Sequence, residues 1–182
     1  MRAQRSNPRV GRHPSRHTLY GRAGPHALRP RGETEMMHFE DFSVGDKIVT
    51  RGRTITEADI VMFSAFSGDW HPLHTDIEYA RQGPFGERIA HGFLVLSVAS
   101  GLLPLSEIAI IAFYGMDKVR FVGPVKLMDT IHVEFETVDK QDRDERGGVI
   151  TFQQTVKNQR GEDVVIGTMR SFVAKQGTPA TA

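Results

Sequence analysis

The stretch of sequence at residues 89–103, IAHGFLVLSVASGLL, carries no acidic or basic side chain apart from His91 and is followed by Pro104. Apolar residues fall on nearly every side of a helical projection, and a proline ends a helix, so the stretch predicts a helix over 89–103. A helix that is apolar on all sides must be buried on all sides. In a domain of this size, one way to bury it is to wrap a sheet around it.

Such a sheet is predicted downstream of the helix. Apolar and polar side chains alternate in three runs, and a fourth run is apolar on both faces. The runs are residues 118–121, 131–136, 150–156 and 163–173. Glycine-containing turns at 146–148 and 160–161 separate three of them. Period-two runs joined by tight turns predict antiparallel pairing, so the fold class is α+β.

Upstream of the helix, the pattern predicts a strand over 47–55 and then a second helix. Thr56 and Asp59 have the form of a capping box, and apolar residues follow at helical spacing. Gly68 suits the left-handed end of that helix. Residues 70–86 predict a loop with a short helical turn around 75–80.

The composition excludes several classes of function. The chain has 182 residues, which favours one domain, and it has no cysteine, which excludes disulfides, thiolate zinc sites and a cysteine nucleophile. Residues 1–35 contain eight Arg, Glu33 and Glu35, which gives this segment a charge of +6. Because the net charge of the whole chain is +1, the remaining residues carry a charge of −5. A mildly acidic domain gives no electrostatic reason to bind nucleic acid. The chain contains no apolar run of about 18 residues, so a membrane span is not expected.

The chain is expected to divide into three parts. Residues 1–36 form an Arg-rich extension without apolar periodicity, which predicts disorder. It is interpreted as an over-long start with Met36 or Met37 as the initiator, as a plain disordered extension, or as an organellar presequence. Residues 37–175 form the folded domain, and residues 176–182 a flexible tail. The expected compartment is the cytoplasm, or an organellar matrix if the extension is a presequence.

Two polar clusters could carry chemistry. In the first, GDWHPLHTD at 68–76, a carboxylate and imidazoles lie close together, which suits acid–base work, although a loop Asp is more often a turn or cap residue. His71 and His74 are three residues apart without a clear third ligand, so no metal is expected. The second cluster, AHGF at 90–93, places Gly92 at a helix N-terminus, where free N–H groups suit an oxyanion, unless Gly92 serves only close packing.

These clusters carry a family resemblance. Residues 67–80, SGDWHPLHTDIEYA, resemble the signature of the MaoC-like dehydratases, which include the (R)-specific enoyl-CoA hydratases. AHGFL at 90–94 followed by SGLL at 100–103 is similar to the central helix of that family. The resemblance extends from about residue 39 to residue 173.

The resemblance implies a hotdog fold, in which a long central helix is wrapped by a curved antiparallel sheet. It implies that Asp69 and His74 hold the reacting water and that the Gly92 amide binds the thioester oxygen. Ser100 would orient the catalytic carboxylate, or simply allow close helix packing. His71 stands where the family usually has Asn, and it is kept as a supporting residue. His91 is interpreted as a structural residue before the helix, and Trp70 and Phe93 as packing residues.

The implied function is a hydro-lyase that adds water to an enoyl thioester to give an (R)-3-hydroxyacyl-CoA, or removes it. The acyl group would be carried by coenzyme A, as part of the substrate, or by acyl carrier protein, and neither a metal nor a redox cofactor is expected. The working unit would be a homodimer or a higher homo-oligomer. The alternatives are a hotdog acyl-CoA thioesterase, a non-catalytic subunit that binds acyl thioesters, and a nucleic-acid role for the Arg-rich extension.

Overall fold

A computed structural model describes residues 36–178 of the chain. The helices are α1 (Glu57–Ser67), α2 (Pro72–Thr75), α3 (Ile77–Arg81) and α4 (Gly92–Leu102), with short 3-10 helices at Phe39–Asp41 and Leu105–Glu107. The strands are β1 (Lys47–Val49), β2 (Arg53–Thr54), β3 (Ile110–Phe121), β4 (Thr130–Asp144), β5 (Gly147–Lys157) and β6 (Asp163–Ala174). The predicted extension at 1–36 and tail at 176–182 lie outside the described residues, apart from 36 and 176–178.

The sheet is antiparallel, with the strand order β1-β4-β5-β6-β3, and β2 also pairs with β4. One face of the long strands carries buried apolar side chains that pack against α4. The central members of this core are Leu94, Val95, Val98, Ile131, Val133, Phe135, Ile150 and Phe152. Burial of each such side chain contributes roughly 1.5–3 kcal/mol. A helix wrapped by an antiparallel sheet is the hotdog arrangement, so the predicted α+β hotdog fold is confirmed.

Helix α1 begins and ends where the sequence predicts. The Asp59 carboxylate accepts hydrogen bonds from the Thr56 N–H at 2.8 Å and the Thr56 hydroxyl at 2.9 Å. Gly68 follows the last turn with φ of +78°, a conformation that glycine adopts without strain. The chain therefore leaves α1 in a defined direction, toward the cluster at 69–76.

Helix α4 differs from the prediction in its start and in its burial. It begins at Gly92 rather than at residue 89, because the Ala90 N–H donates to Val125 O at 2.7 Å and Ile89 pairs with Lys126. The sheet covers only one side of the helix. Phe93 is 73% exposed, and Ser100 is also exposed. The expectation that α4 is buried on all sides is therefore wrong for the single chain.

The strand predictions also need correction. The expected strand at 47–55 is split into β1 and β2, because the Thr50 hydroxyl accepts from the Val133 N–H at 2.9 Å and interrupts the backbone ladder. β3 starts eight residues before the predicted run at 118–121. Its first part has no clean alternation, and it contains Gly115 with φ of +140° at a register shift. Such bulges hide a strand from a period-two search.

Candidate active site

The predicted polar cluster lies in the segment that leaves α1. Asp69 is exposed in the loop, and its Oδ1 accepts from the His71 N–H at 3.2 Å. His71 then caps α2, because its Nδ1 accepts from the Leu73 N–H at 3.1 Å and Pro72 occupies the first helical position. Asn is a favoured residue at this cap position, so the imidazole nitrogen replaces the amide oxygen expected from the resemblance.

His74 lies at the end of α2, and one of its ring nitrogens makes no hydrogen bond within residues 36–178. Its Nδ1 is 2.8 Å from Ile89 O. A carbonyl oxygen only accepts, so Nδ1 carries the hydrogen and Nε2 of the neutral ring keeps its lone pair. Burial lowers the pKa of His74 below its ordinary value, and the neighbouring His91 adds to this, although the hydrogen bond to Ile89 acts in the opposite direction. His74 is therefore a neutral acceptor near pH 7.

His91 is a site residue whose role the sequence did not reveal. It is 2% exposed, its Nε2 lies 3.0 Å from Asp69 O and 3.3 Å from Ser64 Oγ, and its ring centroid is 3.8 Å from that of His74. It was interpreted as a structural residue before α4, and it does immediately precede that helix. The only signal was its place beside Gly92; its contacts are 22 and 27 residues away in sequence.

Asp69, His74 and His91 come together from three separate segments, with one potential ligand atom from each lying within 4.8 Å of the others. The third ligand-type side chain that local spacing did not supply is thus present. The two imidazoles are stacked, with only 32° between their planes. A carboxylate and two imidazoles at this separation can exchange protons with a small molecule, and the expectation that no metal binds here stays a prediction.

Gly92 starts α4 beside this cluster. Its N–H has no acceptor among the described residues, as is usual in the first turn of a helix. A Cβ at this position would lie 2.8 Å from Cε1 and Cζ of Phe121. A side chain here would therefore push on the Phe121 ring, and glycine leaves the backbone N–H accessible. Gly92 thus offers an N–H at a helix start, and its role as the oxyanion donor stays a prediction.

Ser100 occupies a different environment from the one expected. Its hydroxyl donates to Ser97 O at 2.9 Å and makes no hydrogen bond to Asp69 within the described part of the chain. It lines a cavity of about 490 Å³ between α4 and the sheet. Trp70 and Phe93 are 55% and 73% exposed, so their expected packing role is not fulfilled in the single chain.

No helix within residues 36–178 is long and apolar enough to cross a membrane. Asp69 and His74 precede His91 by 22 and 17 residues, and α3 lies in the intervening segment. The site is therefore built from one end of α1, the short helix α2 and the start of α4. It combines a carboxylate, a neutral imidazole and free backbone N–H groups, which together can move a proton and stabilise an oxyanion.

Comparisons with known proteins identify the family that this domain resembles. The family model described as "MaoC like domain" matches residues 41–159. Protein MaoC of Klebsiella aerogenes is 40% identical over 127 residues, which are 69% of this chain but 34% of that protein. The chain thus spans about a third of that relative. A 3-hydroxybutyryl-CoA dehydratase of Methylorubrum extorquens is 31% identical over 107 residues, 59% of this chain and 68% of that protein.

A solved structure extends the similarity over most of the domain. The structure described as a monoamine oxidase regulatory protein from Archaeoglobus fulgius has 41% sequence identity and a TM-score of 0.74. The match covers 82% of this chain and 99% of that one. A single domain of this size therefore exists as a separate chain in a similar protein.

Proposed function

This chain belongs to the family of MaoC-like domains, and on that premise we propose that it hydrates the double bond of an enoyl thioester reversibly. The family includes proteins named as hydratases and dehydratases, and also proteins named only as MaoC or as regulatory. The specific activity of this chain is therefore argued from its own site.

The observation that carries the proposal is the meeting of Asp69 and His74 beside the start of α4, with the tautomer of His74 set by Ile89. A water molecule between the carboxylate and Nε2 of His74 can donate its two hydrogens to the two acceptors. Both acceptors are then oriented by backbone contacts made before substrate arrives. This is the arrangement that general acid–base catalysis requires.

In the hydration direction, the water oxygen attacks the β-carbon while Asp69, with His74, takes a proton from it. The electrons of the double bond move to the thioester oxygen, where negative charge develops. The Gly92 N–H donates to that oxygen and stabilises the enolate. The proton taken from water is then returned by this pair to the α-carbon on the same face, which restores both side chains, and the (R)-3-hydroxyacyl thioester leaves. Dehydration follows the same steps in reverse.

The acyl chain has a compartment of its own in this proposal. The cavity beside Ser100 runs between α4 and the concave face of the sheet, and most of its lining is apolar. Coenzyme A or acyl carrier protein would carry the acyl group to it, and the chemistry needs no metal or redox cofactor. We expect the reaction in the cytoplasm, or in an organellar matrix.

The proposed working unit is a homodimer. β3 is the last strand of the sheet order and pairs only with β6 among the described strands. It carries Phe113 and Tyr114, which are 59% and 60% exposed. An open strand edge with apolar side chains can pair with its own copy about a two-fold axis. Sedimentation equilibrium tests this, and a monomer at micromolar concentration would contradict it.

The test of the hydratase proposal is the ultraviolet absorbance of crotonyl-CoA, since hydration removes the conjugated double bond. Asp69→Asn and His74→Ala should each lower the rate on the order of 10²–10⁴-fold while the protein remains folded. Asp139→Asn and His132→Ala, on the outer part of β4, are the matched controls and should keep full activity.

Other outcomes separate the competing functions. Release of free thiol from a saturated acyl-CoA, lost in Asp69→Asn, would favour the thioesterase. Tight binding of an enoyl-CoA without turnover would favour a binding subunit. Near-normal hydration by Asp69→Asn would contradict the assignment of the catalytic pair.

A further inference from the structure

The cavity between α4 and the sheet has polar groups on its sheet side. Its walls include apolar side chains such as Leu96 and Met116, while Ser171 of β6 and Gln154 of β5 also line it. On the concave face of β6, the neighbouring positions hold core side chains such as Met169 and Val173. A serine in this series is a departure from the apolar pattern that packing alone would require.

Ser171 and Gln154 are both buried residues, and the Ser171 hydroxyl lacks a partner in the described part of the chain, whereas the Gln154 amide borders the cavity. Ser171 is 1% exposed, and its Oγ has no hydrogen-bond partner among the described residues. Gln154 is 4% exposed. The adjacent Gln153 amide donates to Gly167 O at 3.0 Å, whereas the Gln154 amide faces the opposite side of β5 and makes no hydrogen bond to a described residue. A buried hydroxyl without a partner destabilises a protein, so a ligand group that pairs with Ser171 would offset that cost.

The cavity lies in line with the position proposed for the thioester. Ser100 lines it and is eight residues beyond Gly92 on α4, about 12 Å along the helix axis. β3 runs beside the same helix, with Phe121 next to Gly92 and Phe113 at the cavity. An acyl chain whose carbonyl is held by Gly92 can therefore extend along α4 toward Ser171.

The charge of the cavity lining restricts which chemical groups the end of the acyl chain can carry. Within the part of the chain that the structure describes, no acidic or basic side chain lines the cavity. A carboxylate or ammonium at the distal end of the acyl chain would lose its hydration without a compensating charge. A wholly apolar end that reaches the sheet would leave the Ser171 hydroxyl unpaired and would cover the Gln154 amide without a hydrogen bond. A neutral group that both donates and accepts hydrogen bonds avoids both penalties.

We propose that the substrate's acyl group carries a neutral hydrogen-bonding substituent, such as a hydroxyl, keto or amide group, which is bound by Ser171 and Gln154. This inference rests on the proposed function, because it assumes that the thioester is held at Gly92. Short chains that do not reach Ser171 are accepted whatever their terminus. Longer chains are discriminated by their terminus.

The experiment compares matched pairs of trans-2-enoyl-CoAs with four, six and eight carbons, each ending in a methyl or a terminal hydroxyl group. For the length that reaches the sheet, the hydroxyl substrate should have a kcat/KM higher by on the order of tenfold or more. Ser171→Ala and Gln154→Leu should each reduce that preference toward unity. Equal kcat/KM values for every pair in the wild-type protein would overturn the inference.

Thr137→Val is the matched control. The Thr137 hydroxyl, on the concave face of β4, is also buried and has no partner in the described part of the chain, but it does not line the cavity. This variant should keep the wild-type preference, and loss of the preference in Thr137→Val as well as in Ser171→Ala would count against a specific contact.

Binding of saturated acyl-CoAs, measured by calorimetry, separates this inference from the hydratase proposal. Stronger binding of the terminal hydroxyl chain that is lost in Ser171→Ala would support the cavity assignment even if no enoyl-CoA is hydrated. Equal affinities together with normal hydration would overturn the inference and leave the proposed function standing.

Discussion

Replacing His91 by Phe tests whether a buried imidazole holds the catalytic loop in place. Phe keeps an aromatic ring that can pack near His74 and Phe63, but it removes the hydrogen bonds to Asp69 O and Ser64 Oγ. Ser64 is fully buried, and His91 is its only side-chain hydrogen-bond partner in the described residues. Leaving a buried hydroxyl unpaired costs about 1–3 kcal/mol, so urea denaturation should show a loss of this size in unfolding free energy.

The same substitution should reduce catalysis by more than the stability loss explains. The Asp69 backbone loses its anchor to α4, and a displacement of a catalytic group by about 1 Å can cost on the order of 10²-fold in rate. We expect His91→Phe to lower kcat for crotonyl-CoA hydration with a smaller change in KM. His91→Gln keeps an N–H donor near the position of Nε2 and should recover part of the rate.

Two measurements could refute this reasoning. If His91→Phe unfolds at the same urea concentration as the wild type and keeps its kcat, the hydrogen bonds to Asp69 and Ser64 contribute neither to stability nor to catalysis. If His91→Gln and His91→Phe are equally impaired, the donor at Nε2 is not the relevant feature.

Further predictions concern acidity and close contacts. Because burial lowers the pKa of His74, the folded protein binds this proton more weakly than the unfolded chain, so the contribution to stability is present above the ordinary value of 6.5 and falls as pH decreases through it. As the pH is lowered, kcat/KM should begin to fall only below pH 6.5. A loss of kcat/KM on acidification that is already complete above pH 6.5 would contradict a neutral His74. Gly92→Ala places a methyl group against the Phe121 ring, which is half exposed and can move, so the protein should still fold. The value of kcat/KM should fall on the order of 10²-fold, and full activity would exclude the Gly92 amide as the oxyanion donor. Gly148→Ala places a methyl group 2.5 Å from Gln141 O and against Phe39, so thermal denaturation should show a loss of at least about 1–3 kcal/mol, and an unchanged midpoint would mean that β5 can shift.

Local patterns in the sequence were sufficient for the elements that depend on neighbouring residues. The Thr56 and Asp59 cap, the glycine at the end of α1 and the alternating runs in β4 and β5 all act within a few residues, so their physical signals are contiguous. The first half of β3 was missed because its bulges break the alternation. The start of α4 was placed three residues early because Ala90 pairs with Val125, a contact 35 residues away.

The candidate site divides in the same way. The sequence by itself determined that Asp69 and His74 lie in one short loop and helix, and that Gly92 stands near a helix start, because these features follow from local spacing and turn chemistry. Only the tertiary structure decided that His91 joins Ser64 and Asp69 and stacks on His74, and that Ser171 and Gln154 share a cavity with Ser100. Those contacts depend on how α4 docks onto the loop and the sheet. Such docking is set by the packing of many distant side chains at once, and no local period in the sequence records it.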